Sequence, residues 1–413
     1  MRKKIIIKAP LLSRSGYGEQ ARFALRSLRS REDELDIFAF NIPWGSTGML
    51  TEDTEEKRWI DHLIQKTQMH VNMGGSFDVS LQVTIPAEFE NIAPYNVGYT
   101  AGAETNCISH EWVQQINKMH KVITTSEHTK RSIVNTTYTQ KNSDTGEDAG
   151  TLEVFTPVDS VNYPVKIIEP EAIDLEIDTK FNFLVVAQWC PRKNLEATIA
   201  WFVQEFKDNP TVGLVVKTNQ VKNSTMDKNF TRARMSALLE SLGERKCKIY
   251  LIHGDLTEGE MTSLYTHKKI KGLITLTHGE GFGLPVFEAV YNGLPVIATN
   301  WSGYLDFLSV PMKDGKLKPK FTPVSHKLQT IQTEAVYPGV LIPESAWAFA
   351  EKNSYRKALS EFLTDYGKKK RMATALKKHV LENWADEKMY AKFINALGLD
   401  LGEEIKDDVV VFD

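Results

Sequence analysis

The stretch 277-THGEGFGLPVFEAVYNGLPVIATNWSG-303 carries the densest pattern in the chain. The residues leading into it, 271-KGLITLT-277, have the β-branched composition of a buried strand. Gly279, Gly281 and Gly283 follow, then Pro285, which suits a first helical turn, and Gly293, which suits the residue just past a helix end. Strand, glycine-rich turn, helix 284–293 and a second strand, 294-LPVIAT-299, are therefore expected in that order. Such a turn aims backbone N–H groups and the positive end of a helix at the mouth of a sheet, where an anion or a polyhydroxyl ligand fits. Two carboxylates flank it, Glu280 on the loop and Glu288 in the expected first helical turn, with seven residues between them. That spacing predicts one at the bottom and one at the rim of a single pocket. It also fits a plainer picture, with Glu288 complementing the helix dipole and Glu280 exposed.

Outward from this segment, short β-branched runs alternate with helical segments, which argues for α/β layers with parallel sheets. In the first half the expected strands are 4–9, 36–40, 78–83, 95–100 and 121–126, with helices such as 111–119 and 127–137 between them. The polar stretch 138–150 breaks the rhythm as an exposed excursion. Alternation resumes with the strand 181–188 and runs through 194–206, 211–218, 232–243, 247–254 and 258–267. Two successive α/β units imply two domains, with ligands in the crevice outside the carboxyl ends of the strands. The tail 344–397 reads as almost wholly helical, and no repeat of solenoid period is present.

With 413 residues and 42% apolar content the chain can bury large cores, and two or three domains are expected. The net charge of −3 supplies no global basic field of the kind a nucleic-acid binder carries. A local one is suggested by Lys8, Arg14, Arg22, Arg26, Arg29 and Arg31 on and around the first helix, although most such runs are solvated faces. Cys107, Cys190 and Cys247 are widely spaced and odd in number, which disfavours a disulfide framework or a structural zinc. The beginning, MRKKIIIKAPLLS, fits a first strand better than a signal peptide. No apolar run approaches the roughly 20 residues of a membrane helix. A cytoplasmic protein without a membrane span is expected.

Near the N-terminus, Gly16, Gly18 and Ala21 in 13-SRSGYGEQA-21 satisfy the dinucleotide pattern G-x-G-x-x-[GA]. The context fits NAD poorly. Pro10 and 11-LLSRS-15 separate the first strand from Gly16, and the second strand ends on Asn41 where an acid is needed for the ribose. What remains is a glycine-rich turn before the helix 19–29, able to receive a phosphate or a sugar.

The 277–303 segment resembles the glutamate–seven residues–glutamate signature of the family 4 retaining glycosyltransferases. G-F-G-L-P, the second L-P before a strand, and W-S-G all fit. The likeness extends to 191-PRKN-194, similar to the family's basic phosphate turn, and to 169-EPEAID-174, similar to its interdomain P-x-G-V-D with Ala172 in place of glycine. Residues 254–265 and 338–359 follow in the family's order. The resemblance implies an α/β fold of the GT-B type, two facing Rossmann-like domains with parallel sheets and a helical C-terminal tail. Residues 1–170 would form the acceptor-side domain and 171–380 the donor-binding domain, and 381–413 would return to the first.

It further implies a nucleotide-sugar donor, most simply a UDP-sugar, with no cofactor. Glu288 would hold the ribose hydroxyls, and Glu280 with the backbone of Gly281, Phe282, Gly283 and Leu284 would hold the sugar. Lys193 and Arg192 would neutralise the diphosphate as it leaves. The arginine the family often has a few residues earlier is replaced within 187-AQWCP-191, so Arg192 or Lys217 would make the second phosphate contact. Gly16 and Gly18 would face the donor across the domain gap, with Tyr17, Glu104 and His110 on the sugar or acceptor side. No Asp-x-Asp occurs in the sequence, which agrees with metal-independent transfer.

The acceptor is open. Residues 7–30 resemble glycosyltransferases of large tailed bacteriophages, some of which act on hydroxymethylated cytosine in DNA. That likeness implies phosphate contacts from the arginine-rich first helix. A glycan or protein acceptor, a non-catalytic nucleotide-sugar binder and an NAD oxidoreductase are the rivals.

Overall fold

The computed structural model describes residues 2–45, 47–141 and 145–401. The first half runs β1 (Lys3–Ala9), α1 (Gly16–Arg29), β2 (Leu35–Asn41), α2 (Glu55–Asn72), β3 (Val79–Val83), β4 (Tyr95–Thr100) and α3 (His110–Ile116). It continues through β5 (Lys121–Thr124), α4 (Glu127–Val134), β6 (Thr137–Lys141), β7 (Asp148–Glu153) and β8 (Val158–Ser160). The second half opens with β9 (Phe181–Val186), α5 (Leu195–Phe206), β10 (Val212–Lys217), α6 (Thr225–Ser241), β11 (Lys248–Ile252), α7 (Glu258–Thr266), β12 (Ile270–Thr275), α8 (Leu284–Tyr291) and β13 (Val296–Thr299). β14 (Ser309–Pro311), β15 (Leu317–Pro319), β16 (Thr322–Val324), β17 (His326–Thr330), β18 (Ala346–Ala350), α9 (Lys352–Thr364), α10 (Tyr366–Asn383) and α11 (Asp386–Ala396) complete it.

Each half builds one six-stranded sheet, β2-β1-β3-β4-β5-β8 and β11-β10-β9-β12-β13-β16. Their neighbouring strands pair in parallel. Helices cover these sheets, so strands such as Phe181–Val186 read as largely apolar runs, broken only by Asn182, instead of alternating ones. An aromatic row joins the halves. Phe23 of α1 meets Tyr163 at 5.9 Å, Tyr163 meets Phe282 at 4.8 Å, and Phe282 meets Phe307 at 5.0 Å. α11 packs on α1, with Phe393 at 5.3 Å from Phe23, while the Tyr95 hydroxyl donates to Leu397 O.

Several expected boundaries move. α1 begins at Gly16 instead of 19, because the Ser15 side chain accepts from Gly18 N and draws both glycines into the first turn. α6 begins at Thr225 instead of 232, capped by Ser224. The tail is not wholly helical. Residues 346-AWAFA-350 form β18, antiparallel to β17, with Trp347 fully buried. Thr137 leaves the expected helix 127–137 for the β6–β7 hairpin, which pairs across the exposed excursion. The acidic ending 402–413 and residues 142–144 of that excursion lie outside the described residues.

Candidate active site

The basic turn and the glycine loop are folded against each other. Pro191–Lys193 form one 3₁₀ turn, and Asn194 closes it in the left-handed region at φ 51°, a conformation that asparagine tolerates. His278 N donates to Arg192 O at 2.8 Å, and Asn194 Nδ2 donates to Leu276 O at 3.2 Å. The cations are thereby aimed at the loop. Arg192 Nη1 donates to Gly279 O at 2.6 Å and to Glu280 Oε2 at 3.1 Å, and Lys193 Nζ donates to Glu280 Oε1. Glu104, from the loop after β4, completes the cluster with Oε1 at 3.7 Å from Arg192 Nη2.

Burial by itself would raise the Glu280 carboxyl. Lys193 and Arg192 outweigh it and hold the carboxyl down at about 2. Glu280 is thus a fixed anion between two cations, its side chain 13% exposed, and not the exposed carboxylate of the plainer picture. Its backbone is held by 301-WSG-303. Ser302 Oγ accepts from Glu280 N, and Gly303 N donates to Glu280 O at 3.0 Å. Ser302 adopts φ 133°, a left-handed strain of the kind that concentrates at functional sites.

Gly283 caps α8 at φ 95°, which a residue with a Cβ would resist, and Pro285 sits in the first turn as expected. Glu288 is the fifth residue of α8, just past the first turn in which it was expected, since a helix beginning at Leu284 completes its first turn near Phe287. Its Oε2 accepts from the Tyr265 hydroxyl at 2.7 Å. Burial raises it to about 7 despite that bond, with Lys166, Glu19 and Glu258 within electrostatic reach. Lys217 ends β10, donates to Gly254 O at 3.1 Å and is lowered by burial, while Asp255 and Glu288 oppose the shift. Phe282 turns its ring into the aromatic row, which leaves only its backbone for a ligand.

On the N-terminal side, a Cβ on Gly18 would stand 1.9 Å from Ser13 O, so this glycine serves a turn within its own half. Gly16 is open and exposed. Glu19, just beyond, reaches Lys166 at 2.9 Å, and Lys166 bridges to Glu258 of α7 at 2.8 Å. Glu19 at the N-terminus of α1 thereby lies within electrostatic reach of Glu288. The Tyr17 hydroxyl bonds Thr100 Oγ1 at 3.0 Å and accepts from the amides of Ala101 and Gly102, which fixes α1 to the loop that carries Glu104. Burial raises that phenol to about 12. His110 is exposed at the start of α3, its ring perpendicular to Tyr138, and takes no part in the Arg192–Lys193–Glu280 cluster.

The arginine-rich first helix is neutralised internally. Arg22 donates to Leu11 O and Ser13 O and pairs with Glu19, and Arg26 grips Glu56 at 2.5 and 2.9 Å. Arg14 pairs with Glu52, and Arg29 lies 3.8 Å from both Glu32 and Glu55. The basic face suggested by the sequence is thus largely paired within this domain.

Sequence patterns missed the groups that close the halves on one another. Ser126 Oγ and Thr129 Oγ1 donate to Gly281 O, and Asp306 accepts from Glu127 N and Asn162 Nδ2, each at 2.9 Å. His128, set edge-on to Trp301 at 4.4 Å, is lowered by burial to about 4. The helix-capping order 126-SEHT-129 was the available sequence clue for Ser126. Among the described residues no group of His, Cys, Asp and Glu could hold a metal ion, and no helix is long and apolar enough to cross a membrane.

Residues 171–310 match the family model described as glycosyl transferases group 1. Residues 268–392 match that of family 4 glycosyltransferases in conflict systems. No protein of curated function matches the chain in sequence. Solved structures resemble it along nearly its whole length. HepE of Anabaena in complex with UDP and glucose aligns with a TM-score of 0.59 at 12% identity, covering 96% of this chain and 100% of that one. Sucrose-phosphate synthase from Thermosynechococcus elongatus aligns with a TM-score of 0.57 at 13% identity, over 95% and 98% of the two chains. A UDP-forming trehalose-phosphate synthase from Burkholderia xenovorans aligns with a TM-score of 0.56 at 10% identity, over 96% and 99%. At such identities the structures speak for the fold, GT-B, and the family models for the activity. The chain is a glycosyltransferase of GT-B fold.

Proposed function

We propose that the protein transfers the sugar of a UDP-sugar to a hydroxyl acceptor, with retention of anomeric configuration and without a metal ion. The observation that carries this reading is the Arg192–Lys193–Glu280 cluster at the start of α8, with Glu288 one turn farther along the same helix. Residues 171–380 act as the donor side, with 1–170 across the cleft and the stretch from 381 packed back on it. UDP and glucose in the HepE complex are consistent with such a donor.

Departure of a nucleoside diphosphate builds negative charge, and fixed cations lower the barrier most when they face the place where charge develops. Arg192 and Lys193 supply two such cations. Both engage Glu280 in the structure, so the diphosphate takes over part of their charge and leaves the Glu280 carboxylate to accept from sugar hydroxyls. Glu288 accepts from the ribose, and the N-terminus of α8 with the backbone at Gly281–Leu284 adds the dipole contribution. Retention follows if the acceptor attacks on the face the leaving phosphate vacates, with that phosphate taking the acceptor's proton. No protein nucleophile is assigned. Among acceptors, hydroxymethylated cytosine in DNA stays in the reading alongside glycans and proteins. With the α1 arginines paired, any DNA phosphates would be held elsewhere.

A thermal-shift panel of nucleotide sugars tests the donor, since a ligand that binds the folded state raises apparent stability. Stabilisation by UDP-sugars and not by NAD is expected, and the reverse would overturn the reading. Abolition of transfer by a chelator would sink metal independence, and an inverted product anomer would sink retention.

A further inference from the structure

One surface outside the cleft has a charge pattern that the donor chemistry does not use. Residues 309–320 and α10 together hold ten lysines and arginines against two acids, Asp314 and Glu382, in a chain of net charge −3. The β14–β15 hairpin and the residue after it contribute Lys313, Lys316, Lys318 and Lys320, and β14 packs against α10, so these lysines adjoin that helix. α10 buries Ala373, Leu376 and Val380. It turns outward a stripe of Gly367, Lys370, Arg371, Thr374, Ala375 and Lys378, which line a shallow groove at helical spacing. In contrast to the arginines of α1, these cations are scarcely paired. Among the described residues Lys370 and Arg371 have no ion-pair partner, and Lys378 has only Glu382 at 3.8 Å.

Chemistry narrows the partner. A concentration of unpaired cations favours a polyanion, whose condensed counterions are released on binding. Lys370 and Lys378 are separated by about 12 Å along the helix axis, far enough to reach more than one phosphate of a strand. Gly367, Thr374 and Ala375 leave little bulk between the cations, so a backbone can approach closely. The stripe offers no aromatic ring for unstacked bases and no Asn or Gln for base edges. It also lacks the Leu, Phe or Trp that an interfacial membrane helix would bury.

We infer that the α10 stripe and the β14–β15 hairpin form a docking surface for the phosphate backbone of duplex nucleic acid, held without sequence preference. The Lys377 side chain reaches the position a Cβ would take on Gly293, just past the C-terminal end of α8, while the donor loop stands at the other end of that helix. The inference stands whichever hydroxyl is the acceptor.

The test is fluorescence anisotropy of a labelled 25-base-pair duplex of arbitrary sequence with the full chain at rising salt. Wild type is expected to bind in the micromolar range at low salt, with steep salt dependence. Lys370→Glu, Arg371→Glu and Lys378→Glu combined should weaken binding at least tenfold and flatten the salt slope, while the thermal shift with a UDP-sugar is unchanged. If that variant fails to fold, Lys313→Glu, Lys316→Glu and Lys318→Glu combined give the same comparison. Absence of binding at low salt, or equal binding by wild type and folded variant, would overturn the inference. Variant-sensitive sedimentation with phosphatidylserine vesicles in the absence of duplex binding would assign the surface to a membrane and overturn it too.

Discussion

Replacing Glu288 with glutamine removes an ionisable group yet keeps an oxygen to accept the Tyr265 hydroxyl, which the carboxylate now accepts at 2.7 Å. Burial raises this carboxyl from 4.5 to about 7. Between those values the folded chain holds a proton that the unfolded chain has released, so wild-type stability falls as pH rises from about 4.5 to about 7 and stays reduced above it. At about 1.4 kcal/mol per pH unit the full penalty is about 3 kcal/mol, and partial exposure of the side chain reduces it to about 1–2 kcal/mol. Glutamine is neutral throughout. Glu288→Gln should therefore match wild type near pH 4.5 and exceed it at pH 8 by about 1–3 °C in parallel thermal unfolding. A pH-independent difference, or a less stable variant at pH 8, would refute the burial argument. Donor affinity should move the other way. If the carboxylate holds the ribose, wild-type affinity for the UDP-sugar should rise up to about tenfold between pH 6 and pH 8 as the ionised fraction grows. The variant should bind more weakly, with no pH trend.

Lys193→Ala should lower kcat by about 10²–10³ with the fold intact, the usual consequence of removing one group that stabilises developing charge; an unchanged kcat in a steady-state assay would remove Lys193 from the reaction. Gly281→Ala brings a Cβ to 1.9 Å from the backbone oxygen of Ala101, and overpacking of that kind should cost about 1–3 kcal/mol in urea unfolding, so a neutral result would show that the loops are not in contact. Ser126→Ala removes a donor to Gly281 O across the halves; about 1 kcal/mol of stability should go with it, along with a higher donor KM, and a variant unchanged in both would deny this bond any part in closure. Lowering the pH should remove the stabilisation that Glu280 derives from Arg192 and Lys193, a loss beginning near pH 4.5 and complete only below about pH 2; Lys193→Ala should lose less stability than wild type over that interval in acid unfolding.

Most sheet strands were legible because a strand buried on both faces reads as a largely apolar run instead of an alternating one, as in 181-FNFLVV-186, where only Asn182 is polar. β18 was not. Its alternation of alanine with Trp347 and Phe349 sits just before helix formers, and only pairing with β17 makes it a strand. Arg192, Lys193 and Glu280 could be foreseen as one group, since the basic turn and the glycine loop both follow strands of a single sheet. Glu104 reaches the same group from the other half of the chain, a contact that depends on how two domains meet and has no periodicity to announce it. Charge was the least legible property. The arginines of α1 were read as a possible basic face until the fold placed Glu19, Glu52, Glu55 and Glu56 beside them.

The glycines of 277–303 take on a second role once the halves are seen together. A Cβ on Gly279 would stand 1.8 Å from Glu104 O, and one on Gly281 1.9 Å from Ala101 O, both backbone oxygens of the opposite half. The loop that contacts the donor in the proposed reaction is also the surface on which the domains touch, backbone against backbone, fastened by Ser126 and Thr129. A side chain at either position would hold the halves apart at the place where Arg192 meets Glu104. The same glycines thus couple closure to assembly of the cation cluster, and closure excludes the water that would screen it. This coupling separates two kinds of defect. Lys193→Ala should impair the chemical step in a protein that still closes, whereas Gly281→Ala should impair closure first, raising KM and the radius of gyration in solution scattering together. Gly281→Ala with a normal radius and a selective loss of kcat would mean that the glycine serves the donor alone.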